Sequence, residues 1–312
     1  MPEQAAPEYA RLLDPDTLAK VHRLELVARG TVEGFVSGRH QSVYKGASVE
    51  FAEHRQYVPG DDVKGLDWRV YARTDRYYVK QFMEETNLRA TMLVDASGSM
   101  GYTGEEAARH NGTRLSKLEY AKYMAASLMH MMIHQQDAVG LVTCDVDVRR
   151  YIPARSRVTH LRTMLEELVG TEPGEETALA PIFHDIAERI HRRGLVIIIS
   201  DLFDDAEDIL RALHHFRYRK HEVIVFHVMA REELTFPFRG QARFRDLEAM
   251  ARTLQLDAGA IRAEYVERVR EFVGHMERGC GRMQVDYVPV CTEDRFDVSL
   301  TEYLARRRRR AR

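Results

Sequence analysis

Asp95, Ser97 and Ser99 occupy alternate positions of the pentapeptide Asp-Ala-Ser-Gly-Ser, which follows an apolar run at residues 90–94. In a tight turn, oxygen-bearing side chains spaced i, i+2, i+4 can converge on one hard cation. Asp95 brings charge, Ser97 and Ser99 bring neutral hydroxyls, and Ala96 and Gly98 leave room for the backbone to wrap. Mg²⁺ suits such a set, since it takes oxygen ligands at about 2.0–2.1 Å and retains several waters; Mn²⁺ and Ca²⁺ are the alternatives. The same residue types also make an ordinary Ser/Gly turn that caps the next helix. A second acidic residue separates the two readings. Asp201 ends the most apolar stretch of the chain, Leu-Val-Ile-Ile-Ile-Ser at residues 195–200. If both stretches are buried parallel strands, the first and the fourth of a sheet ordered 3-2-1-4-5, their ends lie about one strand spacing apart. Two carboxylates so placed repel unless a cation or a proton lies between them.

The elements needed to position these groups are legible as alternating helix and strand patterns. Helices are expected at residues 115–134, 158–169, 179–192, 206–216, 261–276 and 298–308, and strands at 138–144, 148–152, 222–228 and 283–290. Residues 101–114 are polar and read as a loop beside the acidic turn. Alternation of this kind predicts an α/β fold, a doubly wound, mostly parallel sheet flanked by helices, whose binding edge lies at the carboxyl ends of the strands. Ahead of it, Asp14-Pro15-Asp16-Thr17 starts a helix with the apolar stripe Leu18, Val21, Leu24 and Val27, stopped by Gly30. Residues 30–86 change texture to short β-leaning pieces around the turn Val58-Pro59-Gly60-Asp61-Asp62, and carry nine of the 27 aromatics. A linker would not carry them. The expected organisation is therefore an N-terminal helix at 1–29, a small β-rich unit at 30–86 and an α/β domain at 87–312.

Composition narrows the function classes. A chain of 312 residues with 45% hydrophobic and 30% charged residues can bury a large core. No apolar run reaches the roughly 18 residues of a membrane span, and the first ten residues lack signal-peptide regions, so a cytoplasmic location is expected. Three isolated cysteines, Cys144, Cys280 and Cys291, show neither zinc spacing nor a disulfide framework. His130 and His134 are one helical turn apart but lack the glutamate of a zinc-protease helix. With a formal net charge of −2, neither nucleic acid nor an acidic membrane is an obligatory partner. The local exception is the tail Arg306–Arg310 with Arg312, which reads as a solvated helix end whose cations suit the helix dipole; an anionic partner is the alternative. No phosphate-binding GxxxxGK[ST] loop occurs.

At this point two resemblances enter. Asp95, Ser97 and Ser99, then Thr177 in a later loop, then Ser200-Asp201, resemble the metal-ion-dependent adhesion site of von Willebrand factor A domains. The resemblance implies that Asp95, Ser97, Ser99 and Thr177 surround the ion directly or through water, and that Asp201 joins through a further hydrogen-bonded layer. Glu176 and Ala178 flank the threonine where that family often has Gly before and Asp or Asn after. The segments 38–42, 46–51 and 55–62, with Asp67-Trp68 and Ala72-Arg73, resemble the signature of the bacterial proteins grouped as domain-of-unknown-function family 58. Cys291-Thr292 and Leu300, Tyr303 and Leu304 resemble its C-terminal end. Some of those proteins carry transmembrane helices near the N-terminus. Proteins of this type resemble partners of MoxR-type AAA+ ATPases in chaperone-like or metal-insertion roles, which implies such an ATPase, or its client, as partner here.

Two functions follow as expectations. One is a non-catalytic, Mg²⁺-dependent protein-binding module or adaptor, in which an acidic residue of the partner completes the metal shell. The other is a metal-dependent phosphohydrolase using Asp95 as nucleophile. Against the second stand Ser97, where a general acid would be wanted, and the lack of a lysine in the turn. Nucleic-acid binding by the arginine tail has no aromatic and basic interleaving behind it.

Overall fold

The structure is a computed structural model that describes residues 50–59, 66–83, 88–110, 113–174, 178–245, 247 and 253–310. The expected N-terminal helix and Thr177 lie outside the described residues. Two compact units are present, one within residues 35–87 and the other built on 88–312.

In the smaller unit, β1 (Glu50–Gln56) pairs antiparallel with β2 (Tyr78–Met83). Between them α1 (Trp68–Thr74) begins at Asp67, whose carboxylate accepts from the Arg69 and Val70 amides and so satisfies two donors of the first turn. Tyr71 and Tyr77 stack with ring centroids 4.5 Å apart.

The larger unit opens with β3 (Arg89–Asp95), a 3-10 turn (Gly98–Gly101) and the two-residue strands β4 (Arg109–His110) and β5 (Thr113–Arg114). It continues through α2 (Lys117–His134), β6 (Ala138–Cys144), β7 (Val148–Arg155), α3 (Val158–Gly170), α4 (Leu179–Arg189) and β8 (Leu195–Ser200). Then come α5 (Ala206–Tyr218), β9 (Glu222–Met229), α6 (Arg231–Thr235), β10 (Gln241–Arg245) and β11 (Thr253–Asp257). Last are α7 (Ala258–Arg282), β12 (Asp286–Cys291) and α8 (Phe296–Arg310).

Among the described residues six strands form one sheet in the order β12-β9-β8-β3-β6-β7, parallel except for β7. The expected core of this order is present, with β12 added beyond β9. The reversal of β7 has a simple cause: only residues 145–147 separate it from β6, too few for a crossover, so the pair closes as a hairpin. Gly140 serves this pairing, because a Cβ there would lie 2.6 Å from the Ile152 carbonyl oxygen. The residues read as one loop, 101–114, contain the β4–β5 hairpin, and the β10–β11 hairpin has no counterpart among the expected elements.

Alternation along the central strands divides the core into two layers. Met92, Val94, Ile197, Ile199 and Phe226 face α2, α3 and α8. Leu93, Val196, Ile198 and Val225 face α4, α5 and the end of α7. Each fully buried aliphatic side chain contributes about 1.5–3 kcal/mol, which is why β3 and β8, buried on both faces, read as continuous apolar runs. Of the basic tail, Arg306 is exposed as expected of a solvated end, whereas Arg307 pairs with Asp286 at 3.3 Å and lies 6.0 Å from the Tyr303 ring centroid. Among the described residues no helix is long and apolar enough to cross a membrane.

At the edge opposite the acidic turn, Asp137 accepts from the Leu88 amide at 3.0 Å through one oxygen while its other oxygen is buried without a partner. Burial pushes its carboxyl up to about 6. The protonated form is thus favoured by folding, so this contribution is complete below the unfolded value and is lost as pH rises through about 6. Asp137→Asn should therefore raise the melting temperature relative to the parent more at about pH 7.5 than at about pH 4.5; an equal change at both values would contradict this.

Candidate metal centre

The Asp95 turn is built by the end of β3. Past the last strand residue the Ala96 amide donates to the Cys144 carbonyl of β6 at 2.7 Å, and the Met100 amide closes the 3-10 turn on the Ser97 carbonyl at 3.1 Å. Asp95 is fully buried. One of its oxygens accepts from the Ser97 amide at 2.9 Å and the other from the Ser200 hydroxyl at 2.5 Å, which links the ends of β3 and β8. The Ser97 and Ser99 hydroxyl oxygens are 3.1 Å apart. Burial pushes the Asp95 carboxyl up to about 7, Asp201 adds to the rise by its charge, and the hydrogen bonds from Ser200 and Ser97 oppose it. Among the described residues no lysine, arginine or histidine forms an ion pair with Asp95.

Asp201 is handled differently. Lys117, the first residue of α2, is buried and places its ammonium 2.7 Å from Asp201 Oδ2 and 2.6 Å from Glu233 Oε1. Burial alone would raise the Asp201 carboxyl, but Lys117, helped by the Ser99 hydroxyl, brings it below the usual carboxylate range. The ammonium itself loses by burial, yet the two carboxylates raise it above the ordinary lysine value. Behind Asp201, His227 is held neutral: burial lowers it to about 4, and its Nε2 lies 2.8 Å from the Asp201 carbonyl while Nδ1 meets the Tyr287 hydroxyl at 2.5 Å. The tautomer that fits donates from Nε2 to the carbonyl and accepts at Nδ1.

The neighbouring loops are tied to this edge. The Gly174 amide donates to the Ala96 carbonyl at 2.7 Å, and the Lys122 ammonium donates to the Thr171 carbonyl. Three residues beyond Asp201, the Asp204 carboxylate accepts from the Leu179 and Ala180 amides at 2.9 and 3.3 Å and so caps α4. These contacts fix both described ends of the loop that contains Thr177. Between Asp201 and Asp204 the chain makes a left-handed step at Leu202, φ +52°, costing about 1–2 kcal/mol in a residue with a Cβ. The Leu202 amide donates to Ser200 Oγ at 2.9 Å, its side chain is buried, and Phe203 is left 69% exposed.

The structure thus brings Asp95, Ser97, Ser99 and Asp201 together at one edge of the sheet. Sequence reasoning missed Lys117, Glu233, His227 and Asp204. Only Lys117 had a local signal: the box Ser116-x-x-Glu119, whose reciprocal hydrogen bonds start α2 and place Lys117 in its first turn. Among the described residues no group of three His, Cys, Asp or Glu side chains is arranged to hold a metal. The donor set here is instead one carboxylate with hydroxyls. That set fits a hard divalent cation: Asp95 is buried and without an ion pair among the described residues, and Asp95, Asp201 and Glu233 against Lys117 leave the site two charges negative when all are ionised.

The sequence profile of the family described as "Protein of unknown function DUF58" matches residues 53–273. An uncharacterized protein of Mycobacterium tuberculosis strain H37Rv, Rv1480, is 28% identical over 307 residues, covering 96% of this chain and 92% of its own. The uncharacterized protein Mb1516 of Mycobacterium bovis is similar to the same extent, 28% over 307 residues. Among solved structures, the conserved hypothetical protein BatB of Bacteroides thetaiotaomicron is similar over 70% of this chain and 100% of its own, at 15% identity and a TM-score of 0.43. An aerotolerance-related membrane protein of Bacteroides fragilis is similar over 72% of this chain and 100% of its own, at 15% identity and a TM-score of 0.46.

Removing Lys117 leaves Asp201 and Glu233 facing each other without a cation. Lys117→Met should destabilise the protein by about 3–5 kcal/mol in urea unfolding near neutral pH. Adding Asp201→Asn to it should restore part of the loss, and a double variant no more stable than the single one would show that the ion pair is not the cause.

Proposed function

This chain belongs to the DUF58 family, and on that premise we propose that it is a non-catalytic, Mg²⁺-dependent protein-binding module with a von Willebrand factor A-like domain, which grips an acidic residue of a protein partner at the Asp95 turn. The observation that carries this reading is the Asp95 carboxylate: wholly buried, beside a second carboxylate and two serine hydroxyls, and unpaired among the described residues with any cationic side chain. Asp95, Ser97 and Ser99 would hold the ion, with Thr177 from the adjoining loop and Asp201 through an intervening water. A divalent cation bound there supplies a Lewis-acidic position that a carboxylate from the partner can complete. Ser200 and the Ser97 amide fix the orientation of Asp95, and Lys117 keeps Asp201 ionised as a hydrogen-bond acceptor. Phe203, exposed two residues past Asp201, offers the partner an apolar contact beside the charged one. The partner that the resemblance implies is an AAA+ ATPase of the MoxR type or a client of it.

The phosphohydrolase alternative gains one observation, the buried Lys117 near the acidic turn. It is weakened by the engagement of that ammonium with two carboxylates and by Ser97 standing where a general acid would be wanted. Mg²⁺-dependent turnover of p-nitrophenyl phosphate, abolished by Asp95→Asn, would favour it.

Mg²⁺ at about a hundred times its Kd should stabilise the folded protein by about 2.7 kcal/mol, seen as a rise in Tm that EDTA reverses and that Asp95→Ala abolishes. Because the Asp95 carboxyl without a cation sits at about 7 and the ligand form is ionised, Mg²⁺ affinity should fall as pH is lowered below 7. Capture of partner from native extract should be lost in chelator and with Asp95→Ala; undiminished capture under both conditions would remove the proposed mode of binding.

A further inference from the structure

Away from the Asp95 turn, a cavity of about 320 Å³ lies between β12 and α8. Four consecutive residues of the strand line it, 288–291, so it is bounded by residues that alternate between the two faces of the strand. Its other wall is one face of α8, Ser299, Glu302, Tyr303 and Arg306 at spacings of three and four residues. Met229 and Leu234 supply an apolar floor. A groove between a strand edge and a helix is a geometry in which an extended peptide can add a strand to a sheet.

The edge has backbone groups to offer. Among the described residues β12 has one sheet neighbour, β9. The Thr292 amide donates to the Met229 carbonyl, which turns the 290 and 292 amides toward β9 and those of Tyr287 and Cys291 outward. Pro289 stands at the outward position between them, where its missing N–H leaves the β9 ladder intact.

Charge along the groove is polarised. Arg307 and the Tyr303 hydroxyl meet Asp286, so α8 runs antiparallel to β12, with Arg306 toward the start of the strand and Asp294 beyond its end. Among the described residues Arg306, Glu302 and Asp294 enter no ion pair, whereas the adjacent Arg307 is paired.

We propose that this groove docks an extended peptide segment of a partner protein, which pairs with β12, sets an apolar side chain against Met229 and Leu234, and places a carboxylate at Arg306 and a basic side chain at Asp294. The inference does not rest on metal at Asp95.

Cys291 makes it testable, because Cys144 and Cys280 are buried and Cys291, which lines the groove, is partly exposed. The full chain is titrated with fluorescein-labelled acetyl-Gly-Glu-Val-Leu-Val-Lys-Gly-amide, with the same peptide in reversed order, and with a control carrying Gln in place of Glu and Lys. One charged peptide should bind saturably by anisotropy, slow bromobimane alkylation of Cys291 about fivefold or more, and slow amide exchange at Tyr287 and Cys291. The control peptide, and Arg306→Glu with either charged peptide, should bind about tenfold more weakly, and replacing Glu by Lys in the peptide should recover affinity for Arg306→Glu. Absence of binding by both charged peptides, binding indifferent to Arg306→Glu, or binding that leaves the Tyr287 and Cys291 amides unprotected would overturn the proposal.

Discussion

Asp95 and Asp201 end or follow neighbouring strands, both withdrawn from water, where like charges interact far more strongly than in bulk solvent. The fold meets this in two ways. Asp201 receives the Lys117 ammonium, delivered by the first turn of α2 and shared with Glu233. Among the described residues Asp95 receives only neutral donors, the Ser97 amide and the Ser200 hydroxyl, and its carboxyl rises to about 7. One carboxylate is therefore settled within the described protein, while the other is left in a state that an added cation would improve.

That arrangement is sustained by what surrounds it. β3 and β8 lie at the centre of the sheet with aliphatic side chains on both faces, so their ends are positioned by two core layers. Loops that would otherwise be free are tied to the same edge, by Gly174 to the Ala96 carbonyl and by Asp204 to the start of α4. The left-handed Leu202 is held by hydrogen bonds from its amide to Ser200 and from the Asp204 amide to its carbonyl. Backbone strain of this kind persists where its surroundings over-determine it. Its consequence is an exposed aromatic ring beside the acidic turn.

Much of this was legible in the residues. Strands buried on both faces show as apolar runs, which made β3, β6, β8 and β9 readable, and the crossover rule then put Asp95 and Asp201 on the same edge. The direction of β7 was available too, in the three residues that separate it from β6. The Ser116–Glu119 box marks the place of Lys117 but not its burial, since a lysine in the first turn of a helix ordinarily points to solvent and this one depends on partners 84 and 116 residues away. His227 and Glu233 hide for the same reason, because long-range pairing leaves no periodic trace. The β10–β11 hairpin is short and its residues, such as Gln241, Arg243 and Arg245, are polar on one side, so no apolar run marks it. The contacts of Arg307 with Asp286, Glu222 and Tyr303 leave no trace in a run of like residues.

Crystals of the protein grown with MnCl₂ would decide whether the unpaired carboxylate is a cation ligand. An anomalous peak at roughly 2.2 Å from an Asp95 oxygen, with Ser97 and Ser99 hydroxyls completing the shell, is the expected result. Anomalous maps with no peak at Asp95 at millimolar Mn²⁺, and an Asp95 carboxyl still hydrogen-bonded only to Ser97 and Ser200, would contradict it.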